Sequence, residues 1–154
     1  MQQDLSDILD NILGLLLLEG SYDIEDEVEG FKVNIETKDA GRLIGARGES
    51  LEGLQLLINT MMSRKNPTKE GETFKRVIID VMGWRKQKEE DLAVQAKAWA
   101  NQVLETGKDL ELEPMAPWQR RIVHMAVEEI AGVESESVGE GFDRHLVIRP
   151  AVTK

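Results

Sequence analysis

One stretch constrains this chain more than any other. GRLIGARGESL, Gly41 to Leu51, sets three glycines and two arginines between segments of apolar patterning. Glycine costs a helix interior about 1 kcal/mol relative to alanine, so the helical pattern is expected to break at Gly45 to Gly48. Two phosphate-holding loops are excluded by spacing. A dinucleotide fingerprint needs glycines two and then three residues apart, whereas Gly41, Gly45 and Gly48 lie four and three apart. A P-loop needs Gly-Lys-Ser/Thr, which is missing. What remains is Gly45-Ala46-Arg47-Gly48 between two helices. Glycines there permit positive φ and close backbone approach, the following helix turns free N–H groups toward the loop, and Arg42 and Arg47 add charge. On these residues alone, a plain helix–turn–helix corner stays open.

Charge placement favours an anion-binding role. The chain carries a net charge of −10 over 154 residues. Residues 1–40 hold a net −9, residues 89–154 a net −6, and residues 41–88 a net +5. The glycine stretch opens the one basic third, and local charge sets a phosphate footprint. With 41% hydrophobic residues, one ordinary domain or two small ones are expected. No Cys is present, which excludes disulfides and thiolate metal sites. The apolar run Ile12 to Leu18 is too short to span a bilayer and follows acidic residues, so neither membrane insertion nor a signal peptide is expected. The default reading is a cytoplasmic protein.

The apolar periods give a helix through Leu5, Ile8, Leu9, Ile12, Leu15 and Leu16, an acidic edge strand near Tyr22 to Glu29, and a strand with Phe31, Val33 and Ile35 inward. A short helix over Asp39 to Ile44 follows. After the glycines comes a longer helix burying Leu51, Leu54, Ile58 and Met61, closed by Asn66-Pro67. A strand through Lys75 to Val81 leads to a long helix from Trp84 to Glu105 with Leu92, Ala96, Trp99 and Val103 as its stripe. A short strand over Asp109 to Glu113, a helix from Pro117 to about Ile130, and a hairpin of Val133 to Val138 with Arg144 to Arg149 complete the chain. The fold class is α+β. The division is expected as 1–83 and 84–154, with the helix 84–106 as connector.

The segments LIGARGESLEGLQLLINTM and FKRVIIDVMGWRKQKEEDL resemble the KH domain of the bacterial Jag/KhpB family, the SpoIIIJ-associated proteins. The helix-first order, with both opening strands before GxxG, resembles the type II KH arrangement. The resemblance implies that Gly45, Ala46, Arg47 and Gly48, with Arg42, hold the backbone of single-stranded nucleic acid, bases lying in a groove beside Leu51 to Ile58. Such loops often carry a basic residue at the first variable position. Here it is Ala46, leaving Arg47 as the only charge within the loop.

A second constellation lies in PWQRRIVHMAVEEI. At about 100° per residue, His124 falls about 40° and Glu128 about 80° from Arg120, opposite the apolar stripe of Ile122, Val123, Ala126 and Ile130. Spacing alone is satisfied by an ordinary solvated face. Followed by VESESVGEGFDRHLVIRP, the Arg-x-x-x-His pattern resembles the R-3-H domain that follows KH in the same family. That implies single-stranded nucleic-acid contact through Arg120 and His124, with Arg121 and Arg144 as basic supports. The two matches cover residues 30 to 150 or so. Longer members open with a further small domain, whereas a short acidic helix is expected here.

Enzyme chemistry has little to stand on. Two His, no Cys and no nucleophile constellation are present, and His124 with Glu128 supplies half a metal site at most. No catalysis, cofactor or metal is expected. The expected partner is single-stranded RNA, with single-stranded DNA left open, in a post-transcriptional role that the resemblance links to cell-envelope and division control. The competing reading is a protein-interaction module. Leu15 to Leu18 are all apolar, and the family pairs with a small separate KH protein, so such a partner or a second copy is the alternative occupant.

Overall fold

A computed structural model of the chain describes residues 1–152. It divides into two compact units, Met1–Arg85 and a second from Lys86 onward.

In the first unit, β1 (Gly20–Asp26), β2 (Gly30–Thr37) and β3 (Arg76–Val81) form a sheet in that order, β1 antiparallel and β3 parallel to β2. Alternation in β2 sends Phe31, Val33 and Ile35 to one face. There they meet Val77, Ile79 and Val81 of β3 and the apolar sides of α1 (Gln2–Leu15) and α3 (Glu49–Lys65). α1 buries Leu5, Ile8, Leu9 and Leu13. α3 buries Leu51, Ile58 and Met62, with Met61 only half-buried beside it. The short α2 (Ala40–Ile44) fills the crossover from β2 through Leu43.

The outer edge of β3 is closed by side chains of α3. Asn59 Oδ1 accepts from the Val77 N–H and its Nδ2 donates to the Val77 carbonyl, both at 2.8 Å. One turn earlier, Gln55 Oε1 accepts from the Ile79 N–H at 3.0 Å.

In the second unit, a sheet of order β4-β6-β5 comprises β4 (Leu110–Glu111), β5 (Val133–Val138) and β6 (His145–Pro150), all antiparallel. Its apolar face, with Leu146 and Ile148, meets Val123, Ala126 and Val127 of α5 (Pro117–Glu128). The same cluster takes Leu92, Ala96, Ala100 and Val103 from α4, which runs Trp84–Thr106. Ala100, rather than its neighbour Trp99, is the fully buried member. Gly107 ends α4 in the left-handed region, its N–H donating to the Val103 carbonyl at 2.8 Å.

Candidate nucleic-acid interface

The glycine loop is built from below. Thr37 ends β2 by donating from Oγ1 to the Glu19 carbonyl and accepting from the Asp39 N–H, which turns the chain into α2. Gly45 closes α2 by donating to the Gly41 carbonyl at 2.9 Å, then adopts φ 69° and ψ −173°, a region open to glycine alone. A Cβ there would overlap the Ser50 hydroxyl. Gly48, buried and at φ 79°, lies against the Trp84 indole. Between them Ala46 and Arg47 are exposed. Arg47 sits at φ 55° and ψ 20°, a left-handed position that costs a non-glycine residue about 1–2 kcal/mol.

Trp84 is held by its own scaffold. Met82 and Gly83, at φ 53° and 71°, fold the chain sharply at the end of β3. Asp80 Oδ1 accepts from the Arg85 N–H at 2.8 Å, and Arg85 Nη1 donates to Gln55 Oε1 at 3.1 Å. This explains why Asp80, on the outer side of β3 by alternation, is only 6% exposed. Two of the three non-glycine residues at positive φ among the described residues, Arg47 and Met82, belong to the loop and its support.

Arg42 is exposed one turn before the loop, and its Nη2 donates to the Leu16 carbonyl at 3.1 Å, tying down the C-terminal end of α1. Leu51 and Ile58 point into the core. An open cleft of about 400 Å³ lies further along α3 and β3, lined by Asn59, Thr60, Ser63, Arg64, Phe74 and Arg76. Glu49 and Glu52 occupy the first turn of α3 and already complement its N–H groups.

In the second unit, Pro117 opens α5 and Gln119 Oε1 accepts the Ala116 N–H at 3.0 Å. His124 is exposed but not idle. Its Nδ1 lies 2.5 Å from Ser135 Oγ on β5, and its Nε2 lies 2.9 Å from Glu128 Oε1. Arg120 is half-buried, and its Nη1 is shielded from water without a hydrogen-bond partner. Burial lowers its pKa from the usual arginine value, and the neighbouring charge on Arg144 lowers it further. Arg144 is exposed and donates from Nη1 to the Gly139 carbonyl at 3.2 Å.

The helix and strand run in step. Four residues of helix rise about 6 Å and two of strand about 6.7 Å. From the His124–Ser135 contact, one step on brings Arg120 and Ser137 to the next position of the seam. Ser137 Oγ is likewise buried without a partner. Arg120, His124 and Arg144 therefore gather at one seam, whereas exposed Arg121 is turned about 100° away around α5. The serines were not singled out in the sequence. Their alternation with Glu134, Glu136 and Val138 is the signal that places them on the helix-facing side. Among the described residues no cluster of three or more His, Cys, Asp or Glu could hold a metal ion, and no helix is long and apolar enough to cross a membrane.

Fold and loop together define the class: a KH-type domain of helix-first order, its glycine loop between two helices, followed by an R-3-H domain. The sequence profile of the KhpA/KhpB KH domain matches residues 3–81, and that of the R-3-H domain matches residues 90–150. The chain belongs to the KhpA/KhpB family, in the KhpB arrangement that adds the R-3-H domain. It is similar to the RNA-binding protein KhpB of Clostridium symbiosum, 34% identical over 128 residues, covering 83% of this chain and 55% of the relative. The RNA-binding protein KhpB of Bacillus subtilis strain 168 is 33% identical over 127 residues, covering 81% and 59%. That of Streptococcus pneumoniae serotype 2 is 32% identical over 116 residues, covering 75% and 34%. The chain thus spans little more than half the length of the first two relatives.

Proposed function

We propose that this protein is a non-catalytic binder of single-stranded RNA, holding backbone phosphate at the Gly45–Gly48 loop and making a second contact at the Arg120–His124–Arg144 seam. One observation carries the reading. Both glycines are consumed by internal packing, against Ser50 and Trp84, and this pushes Ala46 and the left-handed Arg47 outward at the start of α3. An exposed cation at the N-terminal end of a helix is suited to a phosphate. The cleft with Phe74, Arg64 and Arg76 offers bases a stacking surface and two more cations. Relatives named as RNA-binding proteins support the same ligand. A role in post-transcriptional control of the bacterial cell envelope and division, carried out in the cytoplasm, rests on the family resemblance.

The test is binding of short single-stranded RNA by the wild type and by Ala46→Asp/Arg47→Asp. Both positions are exposed, so the double variant is expected to keep its circular dichroism spectrum and lose affinity. Equal binding by the two proteins would sink the loop assignment.

A second reading is favoured by the end of α1. Leu15 and Leu17 are 84% and 85% exposed, an apolar tip suited to a small KH protein or a second copy. Light scattering on a Leu15→Ser/Leu17→Ser variant checks it: an unchanged mass with and without the substitutions removes the dimer.

A further inference from the structure

The hairpin loop of the second unit carries an aromatic ring that its own fold does not use. Phe142 is fully exposed, at 102% of its reference area. The other described aromatic side chains are buried or half-buried. Phe31, Tyr22, Phe74 and Trp84 belong to the first core and Trp99 to the second, and Trp118 is half-buried.

The backbone beneath the ring is tightly fastened. Gly139 and Gly141 take φ 89° and 58°, and residues 141–143 form a single 3₁₀ turn. The Asp143 N–H donates to the Glu140 carbonyl at 3.2 Å, and the Arg144 N–H to the Gly141 carbonyl at 3.3 Å. Arg144 Nη1 reaches back to the Gly139 carbonyl. His145 Nδ1 lies 2.7 Å from the Asp143 carbonyl oxygen. Four polar contacts around Phe142 thus hold its backbone while its ring is open to water. A ring displayed on a fixed turn loses little conformational freedom when something covers it.

The surroundings indicate what that cover is. The register of β5 and β6 pairs Ser137 with Leu146 and Val138 with His145, so the loop joining them, with Arg144 two residues on from Phe142, stands at the Arg120 end of the seam. Cations that take phosphate beside an exposed aromatic face are the pairing by which single strands are held. We propose that Phe142 is a base-stacking residue, on which a nucleobase of the RNA strand at the Arg120–Arg144 seam lies flat. The proposal rests on the reading of that seam as an RNA contact. Every base has a π face, so the contact adds affinity without choosing sequence.

The experiment measures binding of a short oligouridylate, and of the same oligomer with abasic sugars, to wild type, Phe142→Ala, Phe142→Leu, Phe142→Trp and Arg120→Ala. Because the ring touches nothing, the Phe142 variants are expected to fold as the wild type does. Loss of stacking is expected to weaken oligouridylate binding roughly five- to hundred-fold in Phe142→Ala. Phe142→Leu should lose as much, and Phe142→Trp should bind at least as well as wild type. The salt slope should stay unchanged, since no charge is removed. On the abasic oligomer, wild type and Phe142→Ala should bind alike. Full binding by Phe142→Leu, or an Ala effect that persists on the abasic strand, overturns stacking. Weakening by Arg120→Ala without weakening by Phe142→Ala overturns the proposal and leaves the RNA contact standing. If neither variant weakens binding, the seam is no RNA contact and the proposal falls with it. A change of mass in light scattering for Phe142→Ala would assign the ring to a protein partner instead.

Discussion

The Trp84 indole occupies the space that a side chain on residue 48 would need. An added Cβ would lie 2.9 Å from Cζ3 and 3.3 Å from Cζ2, and closer still to Cη2. Gly48→Ala therefore meets both a clash and a backbone at φ 79°, and a loss of about 1–3 kcal/mol is expected in urea denaturation. Placing Trp84→Ala in the same chain should recover part of that loss. The test is a double-mutant cycle, with a coupling of roughly 0.5–3 kcal/mol expected for residues in contact. Strictly additive losses would mean that ring and glycine are independent.

Arg47 should show the opposite sign. Its left-handed backbone is one that glycine adopts at no cost, and its side chain is exposed. Arg47→Gly is expected to gain up to about 1 kcal/mol of stability while weakening RNA binding. A variant that is both less stable and undiminished in binding would contradict this account of the loop.

Arg120 makes a parallel case in the second unit. Its Nη1 is buried without a partner and it sits beside the charge of Arg144. An unsatisfied buried donor costs stability, so Arg120→Met, which keeps the aliphatic bulk, is expected to melt at or above the wild-type temperature. RNA affinity should fall and the salt slope should decrease by about 1. A lower melting temperature would show that the guanidinium stabilises its seam rather than waiting for a ligand.

Tyr22 supplies a pH test confined to the first unit. Its hydroxyl donates to Asp10 Oδ1 at 2.7 Å and shares a 2.7 Å contact with Ser6 Oγ. Burial raises its pKa above the ordinary value, and the bond to Asp10 raises it further. A raised folded-state pKa means that the protonated form is favoured on folding. The contribution is whole below the unfolded tyrosine pKa of about 10 and is lost as pH rises through the folded value. Urea denaturation from pH 8 upward should show wild type losing stability relative to Tyr22→Phe only above about pH 10.

Much of this fold is legible in the apolar periods, because α1, α3 and α5 each bury one stripe and β2 alternates cleanly. Boundary residues such as Met62 and Ala100 were displaced by one position from the expected Met61 and Trp99. Neighbours on a helix differ by about 100°, and the partner surface decides which of them goes under. The site was legible in part. GxxG and Arg-x-x-x-His stand out by spacing. Period and composition do not reveal that Trp84 supports the loop, that Arg42 secures α1, or that Ser135 meets His124. Each of those depends on two elements distant in sequence arriving side by side.

The amides of Gln55 and Asn59 along β3 stand in for a fourth strand. Free sheet edges admit other extended chains, and among the described residues this sheet keeps one open edge, at β1. That opening is lined by Asp23, Glu25 and Asp26. With the β3 edge capped, Val77 and Ile79 should exchange their amide hydrogens as slowly as residues of the central strand. A peripheral strand is thereby turned into an interior one by two side chains, and the acidic β1 is the edge left open among the described residues.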